Sequence, residues 1–383
     1  MRVIHFIDSL SDDKGGPSRS VSNQCLYTSK AGVEVDLAWS NTDIKLADEA
    51  INLPKNGVKL IPIDGYFPFI RIFKEVKKHD LIHINGIWRP FTAIAALSAK
   101  ILKKPFVITP HGMLEPWSLN QKWFKKKLAL LIYEKYLLDS TVFLQATATE
   151  EGKHFKLIGL KSPVAVIPNV VVWPEKIKPV KVPGNKRRLL FLSRIHPKKG
   201  VIELLRAINK NRFDFIDNGW VLTITGPDEG GHLKLCKDEA QKLDILDLVE
   251  WMEPVSGSKK WALLRSAQAF VLPTYSENFG IVIAEALAAS VPVLTTQGTP
   301  WHELEEMKCG WWVPVGQESL NASLKTVILT KTSLLKAMGQ RGKALVHRKY
   351  GWKNIGIMLA ESYRWALGQE IKQSFVEVSD VKK

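Results

Sequence analysis

PTYSENFGIVIAEALAASVPVLTT, residues 273–296, carries the reading from which the fold follows. An apolar run from Ala269 to Leu272 stops at Pro273, and a short loop then holds Glu277, Asn278, Phe279 and Gly280. An alanine-rich stretch with helical character runs to about Ser290, and a second apolar run spans Pro292 to Thr295. Strand, helix and strand at this spacing form a crossover unit, which sets its two strands parallel.

The same alternation extends in both directions. Upstream lie strand-length runs at Leu189–Leu192, Trp220–Thr225 and Leu248–Trp251. Further upstream are Val3–Ile7, Val33–Trp39, Val58–Ile63, Leu81–Ile84, Phe106–Thr109, Val142–Leu144 and Val164–Ile167, with helical patterns between most of them. Two mostly parallel α/β sheets covered by helices on both faces account for this pattern. The segment IPNVVVWPEKIKPVKVPGNKRR, residues 167–188, carries four prolines and no sustained period, so it reads as a linker near residue 180. Residues 1–175 and 186–350 are then two doubly wound domains. The helix expected over residues 351–370 is a candidate to cross back to the first domain, and a polar tail beyond it is expected to fray.

A length of 383 residues with 45% hydrophobic and 24% charged residues suits two ordinary cores. The longest apolar stretches are interrupted by Glu134 and Lys135 or by Glu285 and Pro292, which argues against a membrane-spanning helix. MRVIHFID at the start lacks the apolar core of a secretory signal, and the three cysteines, Cys25, Cys236 and Cys309, lack metal-site or disulfide-framework spacing. A cytoplasmic location is expected. Fifty-four basic against 38 acidic residues give a formal charge of +16, which points to anionic partners: polyphosphates, nucleic acid or anionic membrane. The charge is concentrated. Residues 176–199 hold nine Lys or Arg and no acid, and Lys122, Lys125, Lys126 and Lys127 cluster ahead of an apolar helix.

Doubly wound sheets bind ligands at the carboxyl ends of their strands, so the chemistry is sought in the loops there. Glu277 and Glu285 are eight residues apart, which places them roughly 12 Å apart if the helix begins near the first. That exceeds the separation of about 5 to 9.5 Å in a glycosidase pair and suits two parts of one extended ligand. The helix start at Asn278, Phe279 and Gly280 offers free backbone N–H groups to an anion. Sugar hydroxyls at Glu277, a diphosphate at the helix start and ribose hydroxyls at Glu285 would describe a nucleotide sugar. A bland alternative is one acid at a helix dipole and another on a solvated face. In FLSRIHPKKG, residues 191–200, Arg194, Lys198 and Lys199 follow a strand and suit phosphate oxygens. An ordinary basic loop would look the same. His111 and Gly112 end another strand; a histidine there can bond a sugar hydroxyl, bind metal or satisfy loop backbone. Gly15 and Gly16 permit close backbone approach, without the fingerprint of a redox dinucleotide site or a P-loop.

Together these residues resemble the retaining glycosyltransferases of the GT-B fold, glycosyltransferase family 4, over nearly the whole chain. Glu277 and Glu285, with Phe279 and Gly280 between them, match the family's E-x(7)-E motif, and Arg194 and Lys199 match the basic pair that holds the donor diphosphate. His111 matches the first-domain histidine that contacts the donor sugar. Gly15–Gly16 match the glycine loop, and Gly226, Pro227 and Asp228 of TGPDEGGH match a donor loop. Residues 111–136, HGMLEPWSLNQKWFKKKLALLIYEKY, are similar to bacterial surface-polysaccharide members.

The resemblance implies two Rossmann-like domains facing a central cleft. It also implies transfer of a hexose from a nucleoside diphosphate sugar, with retention, to a saccharide acceptor of the lipid-linked (polyprenyl diphosphate) kind used in O-antigen, capsule or exopolysaccharide synthesis. Glu277 is not assigned the role of nucleophile. With no D-x-D pair, no catalytic metal and no cofactor are expected. A sugar-nucleotide epimerase or isomerase of the same fold, a catalytically silent sugar-nucleotide binder and a basic nucleic-acid-binding protein are the competing readings; the last rests on charge alone.

In NQKWFKKKLALLIYEKYLL, residues 120–138, Trp123, Phe124, Leu128, Leu131, Ile132 and Leu138 step at helical spacing beside the four lysines. Such a helix can lie on an anionic membrane, which predicts a peripheral enzyme on the inner leaflet. The alternative is that the apolar face packs into its own core.

Overall fold

The computed structural model describes residues 1–11, 16–40, 46–64, 68–174, 186–371 and 373–377. Two compact units divide the chain: Met1–Val170 together with Gly351–Lys383, and Val171–Tyr350. Residues 175–185, in the middle of the expected linker, lie outside the described residues.

In the first unit, β1 (Arg2–Ile7), β2 (Glu34–Ser40), β3 (Lys59–Ile63), β4 (Leu81–Asn85), β5 (Phe106–Thr109), β6 (Phe143–Ala146) and β7 (Val164–Val166) form a parallel sheet in the order β3-β2-β1-β4-β5-β6-β7. Continuous apolar runs make these strands because helices cover both faces and leave few solvent-facing positions. β4 and β5 are buried along their whole length. The strand order reverses at β1, which pairs with β2 on one side and β4 on the other. One core on this sheet joins Ile4, Phe6, Ile82 and Ile84 to Ile72, Val76, Ala95, Ala99, Leu137 and Leu138 from its helices.

The second unit repeats the plan with β8 (Arg187–Leu192), β9 (Trp220–Thr225), β10 (Val249–Met252), β11 (Ala269–Leu272), β12 (Val293–Thr296) and β13 (Gly310–Val313), all parallel in the order β10-β9-β8-β11-β12-β13. Its order reverses between β8 and β11, where ligands of open α/β sheets bind. The fold is therefore α/β, with two doubly wound sheets as expected. β13, the run GWWV, is a strand that the sequence reading missed.

The helix Trp352–Ala366 belongs to the first unit and packs along the helix Gly16–Lys30, with Trp352 stacked on Tyr27 at 5.0 Å between centroids. Beyond it Val376–Glu377 forms β14, antiparallel to β7, with Val376 opposite Ala165, and the tail from residue 378 on lies outside the described residues. Backbone pairing along an open sheet edge outweighs the polar composition of this segment.

Part of the basic run is structural. Arg188 is buried and donates to Thr223 Oγ1 at 3.0 Å and Ser266 Oγ at 2.5 Å, while the Arg187 guanidinium lies 4.2 Å from the Trp220 ring centroid.

The helix Ile281–Ala288 is backed by the helix Thr332–Lys349. Their approach depends on Gly339, where a Cβ would lie 1.9 Å from the Ser290 carbonyl oxygen. Intrinsic helix propensity favours alanine over glycine by about 1 kcal/mol. Gly339→Ala should nevertheless destabilise, by about 1–3 kcal/mol or more, because the backbone cannot yield without displacing the packed helix. Urea unfolding followed by circular dichroism reads the sign; a stabilised variant would contradict the close packing.

Candidate active site

The site in the second unit is built by three loops at the carboxyl ends of β8, β11 and β12. The reversal of strand order makes the β8 and β11 loops neighbours, which is why residues 78 apart in sequence meet. After β8, the single turn Pro197–Lys199 is closed by the Lys198 N–H donating to His196 Nδ1 at 3.1 Å. The loop after β11 is pinned to this turn: the Tyr275 N–H and Thr274 Oγ1 donate to the Lys198 carbonyl at 2.8 and 3.0 Å. It is pinned on the other side by the Glu277 N–H, which donates to Gly298 O at 2.7 Å.

Within this frame the Lys199 ammonium and the Glu277 carboxylate form an ion pair, with the lysine buried and the glutamate side chain 15% exposed. Gly280, at φ 75°, turns the chain into the helix Ile281–Ala288. The helix begins four residues after Glu277, so the 12 Å estimate, which assumed a helix from Glu277 onward, does not apply. Phe279 is buried against Trp301 and Tyr350, at 5.4 and 5.5 Å between centroids, and its carbonyl accepts from Trp301 Nε1 at 2.6 Å. Its ring therefore anchors the helix start to the core.

Glu285, one turn into the helix, is paired with Lys260 of the helix Gly257–Ser266 at 2.6 Å, both side chains being largely buried. Sequence reasoning missed Lys260. In SGSKKWALL nothing distinguishes it from Lys259, and only the fold shows which lysine turns inward. Arg194 stands apart from the Lys199–Glu277 pair: it is exposed and bonded to Glu229 at 2.7 Å. Gly226 belongs to the same edge, where a Cβ would lie 1.7 Å from Ser193 O; the Ile195 N–H donates to Pro227 O at 2.8 Å and ties the two loops together.

In the first unit, His111 follows β5 with φ 52°, a left-handed conformation that a residue with a Cβ adopts only when its surroundings impose it. The next residue supplies part of that constraint, since the Gly112 N–H donates to the buried Glu151 carboxylate at 2.6 Å. Burial raises the Glu151 carboxyl to about 7. His111 Nε2 lies 3.1 Å from Asn85 Oδ1, at the end of β4, and burial lowers the imidazole to about 4, so the ring is neutral at neutral pH. Gly16 opens the helix Gly16–Lys30, while Gly15 lies outside the described residues. No group of three or more His, Cys, Asp or Glu is arranged to hold a metal ion among the described residues.

Comparison with known proteins agrees with this geometry. The model for Glycosyltransferase Family 4 matches residues 14–172, and that for Glycosyl transferases group 1 matches residues 174–345. The chain is 25% identical over 389 residues to the GDP-mannose:cellobiosyl-diphosphopolyprenol alpha-mannosyltransferase of Xanthomonas oryzae, covering 96% of this chain and 98% of that one. It is 26% identical over 395 residues to the phosphatidyl-myo-inositol mannosyltransferase of Mycolicibacterium smegmatis, covering 97% and 96%. Among solved structures, HepE of Anabaena in complex with UDP-glucose superposes with a TM-score of 0.74 at 15% identity, covering 95% of this chain and 100% of that one. With both sheets, the E-x(7)-E helix and two adjoining family models in one order along the chain, this protein belongs to glycosyltransferase family 4 and has the GT-B fold.

Proposed function

We propose that this glycosyltransferase moves a hexose from a nucleoside diphosphate sugar, with retention of anomeric configuration, to a polyprenyl-diphosphate-linked saccharide at an anionic membrane surface, in bacterial polysaccharide synthesis. The observation that carries the reading is the buried Lys199–Glu277 pair beside the start of the helix Ile281–Ala288. An ammonium, a carboxylate and a helix N-terminus held together at the strand-order reversal offer cation, acceptor and backbone donors to one ligand. Lys199 and the helix start would bear the departing diphosphate, Glu277 the hexose hydroxyls and Glu285 the ribose. Arg194, free to exchange Glu229 for a phosphate across an exposed edge, would join them. Catalysis is then mainly positioning and charge stabilisation, and a leaving-group oxygen can take the acceptor proton. The names of the full-length relatives, which include a GDP-mannose enzyme acting on a diphosphopolyprenol-linked sugar, support both donor class and acceptor class.

The membrane part of the reading rests on the helix that begins at Trp123. Phe124, Leu131 and Ile132 are 67%, 75% and 68% exposed, and Trp123, Leu128 and Tyr136 are exposed with them. Leu137 and Leu138 are buried in the core, and Leu130 and Tyr133 pack partly against it. The rest of the apolar stripe is left outside. Lys122, Lys125 and Lys127 flank it, whereas Lys126 turns inward and donates to the Ser118 carbonyl. The surface continues sideways: Lys100 of the helix Pro90–Ile101 lies 4.0 Å from the Tyr136 ring centroid, with Leu97 and Ile101 exposed on the same helix. The helix Pro68–Lys78, in the same core layer, exposes Phe69, Ile70 and Phe73. Exposed aromatic and aliphatic side chains interleaved with lysines suit a bilayer interface with anionic headgroups. Among the described residues no helix is long and apolar enough to cross a membrane.

Glu277→Ala and Lys199→Ala should each lower the transfer rate by about a hundredfold or more while the circular dichroism spectrum stays native. Glu285→Ala should act mainly on donor affinity, read by calorimetric titration with GDP-mannose and UDP-glucose. Wild-type turnover in either of the first two would remove that residue from the site.

Transfer should persist after dialysis against EDTA, because side-chain cations and helix N–H groups supply the positive charge. Loss with EDTA and recovery with magnesium or manganese would overturn this.

Co-sedimentation with vesicles should favour anionic over neutral lipid at low salt. Changing Lys122, Lys125 and Lys127 to Gln, with Lys126 spared for its structural bond, should remove most of that preference. Equal binding by both proteins would reject this surface.

A further inference from the structure

Behind His111 the first unit holds a continuous chain of buried polar groups that no step above uses. Asn85 Nδ2 is 3.3 Å from His5 Nδ1, and His5 Nε2 is 3.1 Å from the Tyr363 hydroxyl. The same hydroxyl is 2.5 Å from His83 Nδ1, and His83 Nε2 is 2.7 Å from Thr109 Oγ1. Thr109 Oγ1 donates to Gln145 Oε1 at 3.1 Å, and Gln145 Nε2 donates to the Ile167 carbonyl at 3.0 Å. Strands β1, β4, β5 and β6 supply five of these residues, and Tyr363 comes from the helix Trp352–Ala366.

Donor and acceptor capacities fix the direction of every bond. The Ile167 carbonyl can only accept, so Gln145 presents its amide N–H₂ there and its oxygen to Thr109. The Thr109 proton is then committed to Gln145, and its oxygen must accept from His83 Nε2–H. His83 Nδ1 is left as an acceptor and takes the Tyr363 proton. The Tyr363 oxygen accepts from His5 Nε2–H, and His5 Nδ1 accepts from the Asn85 amide. The Phe6 carbonyl, 3.4 Å from Asn85 Nδ2, favours the same amide orientation through a longer contact that a reversed His5 can override. Asn85 Oδ1 therefore faces His111 and accepts from its Nε2–H. Burial lowers His5 to about 3 and holds His83 well below its ordinary value, and it raises the Tyr363 hydroxyl, so all members are neutral at neutral pH.

We infer that Tyr363, His5 and His83 are positioning residues that hold His111 in the Nε2–H tautomer, so that its Nδ1, which accepts no hydrogen bond among the described residues, presents a lone pair to the ligand. The group meeting His111 must then be a hydrogen-bond donor such as a sugar hydroxyl and not a phosphate oxygen. The identity of that group rests on the nucleotide-sugar reading; the tautomer does not. The C-terminal helix thereby has a chemical task as well as a packing one, because it supplies the hydroxyl joining the two halves of the chain.

Long-range proton–nitrogen correlation spectra of the full-length protein labelled with ¹⁵N-histidine test this directly. The expected wild-type pattern has His5, His83 and His111 each protonated at Nε2 alone. Protonation of His111 at Nδ1, or a charged ring at neutral pH, overturns the inference. In Tyr363→Phe the His5 N–H loses its acceptor and can reverse, so His111 should gain an Nδ1–H population. Affinity for GDP-mannose or UDP-glucose, whichever the wild type binds, should weaken about fivefold to tenfold, the value of one hydrogen bond. Should Tyr363→Phe fail to fold, Gln145→Leu removes the anchored far end and should produce the same shift at His111. An unchanged His111 pattern in a folded variant refutes the coupling. If the wild type binds neither donor while the tautomer pattern holds, the nucleotide-sugar reading fails and the positioning chain stands.

Discussion

A parallel sheet sealed by helices on both faces can meet a polar ligand only at the ends of its strands, and at the carboxyl end only where the strand order reverses. Each unit of this protein has one such place, between β1 and β4 and between β8 and β11. The Lys199 turn and the Glu277 loop follow β8 and β11, and Asn85, the partner of His111, ends β4. These polar groups gather there because helices close the faces of each sheet to a polar ligand.

Putting charges at such a place is costly unless they are paired. Lys199 with Glu277 and Lys260 with Glu285 are two largely buried ammonium–carboxylate pairs, and removing one partner from such a pair costs about 3–5 kcal/mol. The pairs hold the carboxylates in fixed orientations, and the loops carrying Lys199 and Glu277 are tied to their neighbours through the Lys198, Gly298 and Phe279 carbonyls. His111 solves the same difficulty differently. Its neighbours are neutral, and the direction of their hydrogen bonds, anchored at two backbone carbonyls, replaces charge pairing.

Much of this was legible in the sequence, for physical reasons. Strands buried on both faces read as unbroken apolar runs, and the crossover over residues 269–296 specified parallel pairing. Glu277 and Lys199 stood out because charged residues next to apolar runs mark strand ends, and Glu285 because it stands eight residues after Glu277 in an otherwise apolar stretch. β13 was missed although GWWV is an aromatic and β-branched run, because only four residues long it offers little periodicity. β14 was missed because two residues paired to an edge leave no pattern at all. Lys260 and Tyr363 were beyond local reasoning: the former looks like any surface lysine, and the latter lies 280 residues from His83, its partner. The outward face of the helix from Trp123 was an open alternative in sequence, since periodicity finds an apolar stripe without saying what covers it.

The central proposal is that the paired charges of the second unit serve transfer of an intact sugar with retention of configuration. The most direct measurement is proton NMR of the reaction with an α-linked nucleoside diphosphate sugar and a polyprenyl-diphosphate-linked saccharide. The account predicts one released nucleoside diphosphate per new glycosidic bond and an α-configured product. A β-linked product, or an epimerised sugar nucleotide with no glycosidic bond formed, would contradict it.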